Sequence, residues 1–164
     1  MIEAEAILAE IRKHKVTHVV GVPDNGSRVL YELLCRDPEI RVINVTQEGE
    51  AFALASGLYL GGKIPLVLIQ STGFLESGDA FRGTVYNMAV PLVMIVGYRG
   101  YETMQSDAGP VDTAATFFEP TLKAWNIPYE MMRSTADSHM VSGAFSKAVD
   151  TSLPVAVIYP GEFV

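Results

Sequence analysis

The sequence predicts an α/β fold, a parallel sheet covered by helices on both faces. Three observations carry this. Apolar runs of strand length alternate with amphipathic segments along the chain, the pattern of repeated βα units. Two of the runs, Pro65-Leu66-Val67-Leu68-Ile69 and Pro91-Leu92-Val93-Met94-Ile95-Val96, contain no polar residue, as strands buried on both faces do. Proline opens several runs, the strand position where a missing N–H donor costs least. The 164 residues are enough for one domain, 1–164, with a substantial core.

The elements follow in order. Residues 2–14 carry Ile2, Ala6, Ala9 and Ile11 among charges and predict an amphipathic helix. His18-Val19-Val20-Gly21-Val22 predicts a strand, ended by Pro23-Asp24-Asn25-Gly26. Ser27 is a capping residue for a helix holding Val29, Leu30, Leu33 and Leu34. Cys35 falls in that pattern and reads as a small core residue. Residues 40–45 predict a buried strand. Thr46 then caps a helix whose face is Ala51, Leu54, Ala55 and Leu58, closed by Gly61-Gly62. The strand from Pro65 leads into a loop, Gln70 to Gly78, and a helix to about Met88. The strand from Pro91 ends at Gly97. A long loop and a helix over Thr113–Trp125 come next, with Phe117, Phe118, Leu122 and Trp125 as core or interface. Strand Pro128–Met132, helix Ala136–Val149 and strand Pro154–Ile158 complete the chain.

Composition removes several function classes. The net charge of -7 gives no electrostatic case for nucleic acid or an anionic membrane. A single cysteine excludes a disulfide framework and a thiolate metal cluster within one chain. His14, His18 and His139 are far apart and lack metal-ligand spacing. The start, Met1-Ile2-Glu3-Ala4-Glu5, is acidic and unlike a signal peptide, and no apolar run is long enough to span a bilayer. A cytoplasmic protein is expected.

The stretch with most chemical content is Thr46-Gln47-Glu48-Gly49-Glu50-Ala51-Phe52-Ala53-Leu54-Ala55-Ser56-Gly57. An acid in a first helical turn is ordinarily there for the helix dipole. Yet Gly49, a poor helix former, follows Glu48 directly, which points to a close approach by another group. The acid also emerges at the carboxyl end of a strand, where open α/β sheets bind ligands.

This stretch resembles the pyrimidine-binding domain of thiamine-diphosphate enzymes, with Glu48 nine residues before Gly57. The resemblance extends in register to Gly21-Val22-Pro23-Asp24-Asn25, Gln70-Ser71-Thr72-Gly73 and Gly97-Tyr98-Arg99-Gly100. It is similar in particular to the 2-oxo acid decarboxylases of that family acting on sulfopyruvate or phosphonopyruvate. The resemblance implies a three-layer α/β/α domain with a six-stranded, mainly parallel sheet. It implies thiamine diphosphate as cofactor, with Glu48 bonded to its pyrimidine N1′ so that the cofactor's own amino group can take the C2 proton. A buried carboxyl group is expected for that task. Glu50 is the rival, but i and i+2 do not share a helix face.

The remaining site residues carry an ordinary reading beside the one implied. Pro23 to Gly26 are turn formers; the resemblance makes Asp24 or Asn25 a polar catalytic residue, with Asn25 also a substrate contact. Gln70, Ser71, Thr72, Gly73 and Phe74 read as a polar turn; the resemblance lays them against the cofactor. Phe74 and Leu75 are unusual on a freely solvated tip. Arg82 reads as pairing with Glu76 or Asp79. The Arg99 fork suits a carboxylate, sulfonate or phosphonate, or a surface ion pair. The family's Gly-Asp-Gly motif, which holds Mg2+ and diphosphate, does not occur in the sequence. A separate beta subunit is therefore expected to hold the metal, and the chain alone to self-associate as a dimer. A non-catalytic paralogue is the alternative; a flavodoxin-like nucleotide module is a poorer one, since Pro23-Asp24-Asn25-Gly26 makes a poor phosphate loop.

Overall fold

The computed structural model describes residues 1–105 and 109–164. One sheet of six parallel strands organises them, in the order β2-β1-β3-β4-β6-β5. The strands are β1 (His18–Gly21), β2 (Arg41–Asn44), β3 (Pro65–Gln70), β4 (Val93–Gly97), β5 (Tyr129–Met131) and β6 (Val155–Tyr159). The chain steps from β1 outward to β2, then back across β1 to β3. That reversal leaves a switch point between β1 and β3, the place where such sheets open a ligand crevice.

Alternate strand residues feed two cores. Val19, Leu66, Leu68, Ile95 and Val157 face α1 (Ala4–Lys13), α2 (Arg28–Arg36) and α7 (Met140–Thr151). Val20, Val67, Ile69, Val96 and Ile158 face α3 (Glu48–Leu60), α4 (Ser71–Glu76), the single turn α5 (Gly78–Ala80), a π-helical segment Phe81–Tyr86, and α6 (Thr113–Ala124). The unbroken apolar runs are thus strands with helices on both sides, as the sequence predicts.

The differences from expectation have physical causes. β2 is an edge strand with no residue fully buried, since only β1 pairs with it. The buried stripe of α1 is Ala4, Ile7, Leu8 and Ile11; Ala9 faces out. On α3 the buried face is Ala51, Phe52, Ala55 and Ser56, and Leu54 is exposed. That helix is apolar on every side, so spacing alone gives its inward face no direction. Cys35 is exposed, because Leu30, Tyr31 and Leu34 turn inward in its place. The segment after β3 is helical at once, not a loop: Gln70 ends the strand and Ser71 begins α4. Phe118 and Leu122 of α6 are buried, whereas Phe117 is exposed.

The last described residues return to the first loop. Phe163 bridges Ile2 in parallel, and its N–H donates to the Gly26 carbonyl at 3.0 Å.

Candidate active site

Two glutamates open α3, and the local hydrogen bonds separate them. The Glu50 carboxylate folds back over the helix start. It accepts from the Thr46 hydroxyl (2.8 Å), the Thr46 N–H (2.9 Å) and the Gln47 N–H (3.3 Å). These donors, the Thr46 hydroxyl foremost, hold its carboxyl below the ordinary value. Thr46 therefore serves the helix start through Glu50, and the N-cap position itself is Gln47. Glu48 forms no side-chain hydrogen bond to any described residue.

The Glu48 carboxyl group lies directly over Gly73 of α4. A Cβ on Gly73 would stand 2.1 Å from both Cδ and Oε1 of Glu48, which no real contact permits. The glycine predicted at the cofactor thus makes room for the acid. Glu48 is half-buried rather than buried, so part of its carboxyl environment is open in this chain. The close approach inferred at Gly49 is a helix: its nearest neighbour is Ala80 of α5, 3.3 Å from a Cβ placed there.

The rest of the predicted segment divides by role. Gln70 is half-buried, and Thr72 Oγ1 donates to its Oε1 at 2.8 Å, turning the amide. Ser71 is buried and accepts from the Arg99 N–H at 3.2 Å. Phe74 is fully buried, edge-on to Phe52, Phe81 and Phe118. It packs under the site, so the apolar residue expected to meet a ligand meets the core.

A cavity of about 240 Å³ opens at the carboxyl ends of β1, β3 and β4 and brings together Asp24, Asn25, Gln70 and Arg99. Asp24 is occupied by its turn. Its Oδ1 accepts from the N–H groups of Gly26 (2.7 Å) and Ser27 (3.2 Å), and its Oδ2 from the Ser27 hydroxyl (2.8 Å). Ser27 accordingly sits at the N-cap of α2 without capping it. The exposed Asn25 side chain has no hydrogen bond among the described residues. Arg99 shares its Nε with Asp112 Oδ2 at 3.3 Å, the surface ion pair of its ordinary reading. Glu102 and Glu162 also line the cavity. Sequence reasoning passed over both, since acids in polar loops carry no signal.

A larger cleft, about 550 Å³, lies between Phe81, Tyr86 and Trp125 on the flank of α6. It holds none of the predicted residues; its acid, Asp79, pairs with Arg82 at 2.6 Å. Among the described residues no three His, Cys, Asp or Glu side chains gather as metal ligands. No described helix is long and apolar enough to cross a membrane.

Comparison with known proteins accords with this arrangement. Residues 1–119 match the family model for the thiamine pyrophosphate enzyme, N-terminal TPP binding domain. The chain is similar to the sulfopyruvate decarboxylase subunit alpha of Methanothermobacter thermautotrophicus, 30% identical over 94% of this chain and 93% of that protein. It is 24% identical to the protein of that name from Methanococcus maripaludis, over 94% and 92%. A phosphonopyruvate decarboxylase from Streptomyces viridochromogenes is 34% identical over 61% of this chain, a quarter (25%) of that longer protein. With the motifs in register on a parallel sheet and the family model covering most of it, the chain belongs to the thiamine pyrophosphate enzymes and carries their N-terminal cofactor-binding domain.

Proposed function

We propose that this chain, as one domain over residues 1–164, is the pyrimidine-binding alpha subunit of a two-chain 2-oxo acid decarboxylase. Its substrate is sulfopyruvate, released as sulfoacetaldehyde and carbon dioxide. The observation that carries the reading is the Glu48 carboxyl group. It stands at the start of α3 over Gly73, half-buried and bonded to no described residue, while Glu50 is tied to Thr46 and Gln47 through Oε2. A carboxyl group left in this way is available to a ring nitrogen.

Thiamine diphosphate, when bound, supplies the electron sink for loss of carbon dioxide. Glu48 holds a proton between its carboxyl oxygen and the pyrimidine N1′. Gln70, turned by Thr72, and the free amide of Asn25 orient the substrate's carboxylate. Asp24 keeps the Asn25 turn in shape. Arg99 lies at the cavity rim and serves the substrate's second anionic group, sharing its charge with Asp112.

Mg2+ and the diphosphate fall to a separate beta subunit. The likeness, over nearly their whole length, to proteins named as alpha subunits supports this. Exposed apolar side chains on and just after α3 support it too: Leu54, Tyr59, Leu60 and Ile64. The beta subunit covers exposed apolar residues of this chain, Leu54 and Leu60 among them, and in its absence the isolated chain pairs as a symmetric dimer. The complex works in the cytoplasm. The Streptomyces relative favours phosphonopyruvate as the second substrate candidate; kcat/KM measured for both acids ranks them.

The test is exchange of the cofactor's C2 proton, followed by NMR in the assembled enzyme. Glu48→Gln is expected to slow it by roughly 10²–10⁴-fold, the range for loss of a positioned proton-transfer group. Exchange at the wild-type rate contradicts the assignment.

A further inference from the structure

Tyr159 ends β6 beside the cavity that holds Asn25 and Gln70. Its ring is fully buried and packs on Phe163, tilted by 32° with centroids 4.2 Å apart. The ring carries its hydroxyl to a covered position behind Gly26 and Gly97, two glycines that line the cavity. A Cβ on Gly97 would stand 3.0 Å from the oxygen, and one on Gly26 3.7 Å. Any other residue at Gly97 would press on the hydroxyl.

No described residue hydrogen-bonds that oxygen. Buried hydroxyls are nearly always paired, because an unpaired one has lost water and gained nothing. The other unpaired buried oxygen among the described residues, Ser56 Oγ, sits inside α3. A small rotation there brings it to the carbonyl four residues back. Tyr159 has no such recourse, since its oxygen lies a ring's length from its own backbone. Asp24 bonds its own turn and makes no hydrogen bond to that oxygen. Burial, then the charges of Asp24 and Glu162, push the phenol well above its ordinary value. The hydroxyl therefore keeps its proton and lies as an unused donor behind the two glycines that line the cavity.

We propose that Tyr159 is a substrate-contacting residue, its hydroxyl donating to an oxygen of a 2-oxo acid seated between Gly26 and Gly97. This rests on the reading of the cavity as the substrate's seat. The Gly26 turn is the cover, tied down by the Phe163 N–H at 3.0 Å, and a small displacement of it admits the ligand oxygen. The contact forms away from bulk water, where a hydrogen bond to a charged oxygen is strongest. The unpaired hydroxyl then has its partner in the bound state.

Tyr159→Phe tests this, because it keeps the ring and removes only the oxygen. In the assembled enzyme with sulfopyruvate, KM is expected to rise about 10- to 100-fold, the usual effect of losing a hydrogen bond to a charged group. The melting temperature is expected to stay the same or rise, since an unpaired buried hydroxyl is removed. A second measurement is independent of turnover: ¹³Cζ-tyrosine NMR of the chain titrated with pyruvate, the Tyr159 signal being the one absent from Tyr159→Phe. That signal is expected to move. An unchanged KM, a lowered melting temperature or a Tyr159 signal unmoved by pyruvate overturns the proposal. Should the wild-type enzyme fail to turn over sulfopyruvate, the substrate assignment falls, and the pyruvate titration still decides Tyr159.

Discussion

Glu48 and Glu50 are two residues apart and do opposite things. Glu50 is consumed by Thr46 and Gln47 at the entrance to α3, and Glu48 is left over Gly73. Glu50→Gln is thus expected to lower the melting temperature while leaving C2 exchange nearly intact, the reverse of Glu48→Gln. Gly73→Ala displaces the acid without altering it. Its methyl group would occupy the space of the Glu48 carboxyl, and a shift of about 1 Å at a reacting group can cost roughly 10²-fold in rate. Turnover is expected to fall on that order, with the circular dichroism spectrum unchanged. Asp24 and Asn25 separate in the same manner. Asp24→Ala removes the acceptor of the Gly26 and Ser27 donors and is expected to cost about 0.5–2 kcal/mol of stability, as loss of a capping side chain does. Asn25→Ala is expected to leave denaturant stability unchanged and to raise KM. The sequence could not choose between these two residues, because Asp and Asn are equally good turn formers. Only the hydrogen-bond partners distinguish them.

At the scale of elements, α3 and α4 form one unit, held from below by aromatic rings. Phe74 is edge-on to Phe52, Phe81 and Phe118 and tilted on Trp125 at 5.4 Å. Phe74→Ala is expected to cost about 3–5 kcal/mol in urea unfolding, the range for a fully buried aromatic ring. This is also where the sequence was least legible. Ser71, Thr72 and Gly73 are turn-forming residues, and their place at the head of a helix is set by the strand before them and the rings beneath. Nothing local specifies it. The rotation of α3 was hidden for a related reason: with apolar residues on every side, its inner and outer faces differ only in what packs on them. The outer residues give a direct test. Leu54→Lys with Leu60→Lys is expected to block assembly with a beta subunit, read by size-exclusion chromatography, while the monomer's melting temperature is retained.

For the whole molecule, the strands were legible because a doubly covered sheet demands unbroken apolar runs, which survive any detail of the loops. The order β2-β1-β3-β4-β6-β5 was not, since pairing depends on crossovers that no local pattern encodes. Two acids on the α1 side make stability depend on pH. Burial would raise the Asp37 carboxyl, but the Glu39 N–H and the Arg12 guanidinium at 2.6 Å outweigh it and lower it. Glu10 is likewise lowered against its burial by Lys13 and Ser142. Groups lowered on folding stabilise above their unfolded values, and that stability is lost as pH falls through the folded ones. The melting temperature is expected to drop through the acid range, with a shallower drop for Asp37→Asn.

The central claim is that this chain carries the pyrimidine half of a thiamine-diphosphate site and lacks the metal half. Its most direct test is a titration of the purified chain with thiamine diphosphate and Mg2+, with sulfopyruvate turnover measured in the same preparation, before and after adding a copurifying chain that carries Gly-Asp-Gly. The account predicts weak binding and no turnover for the chain alone, and both tight binding and turnover once equal numbers of the two chains are combined. Tight binding with full turnover and no second polypeptide would contradict it.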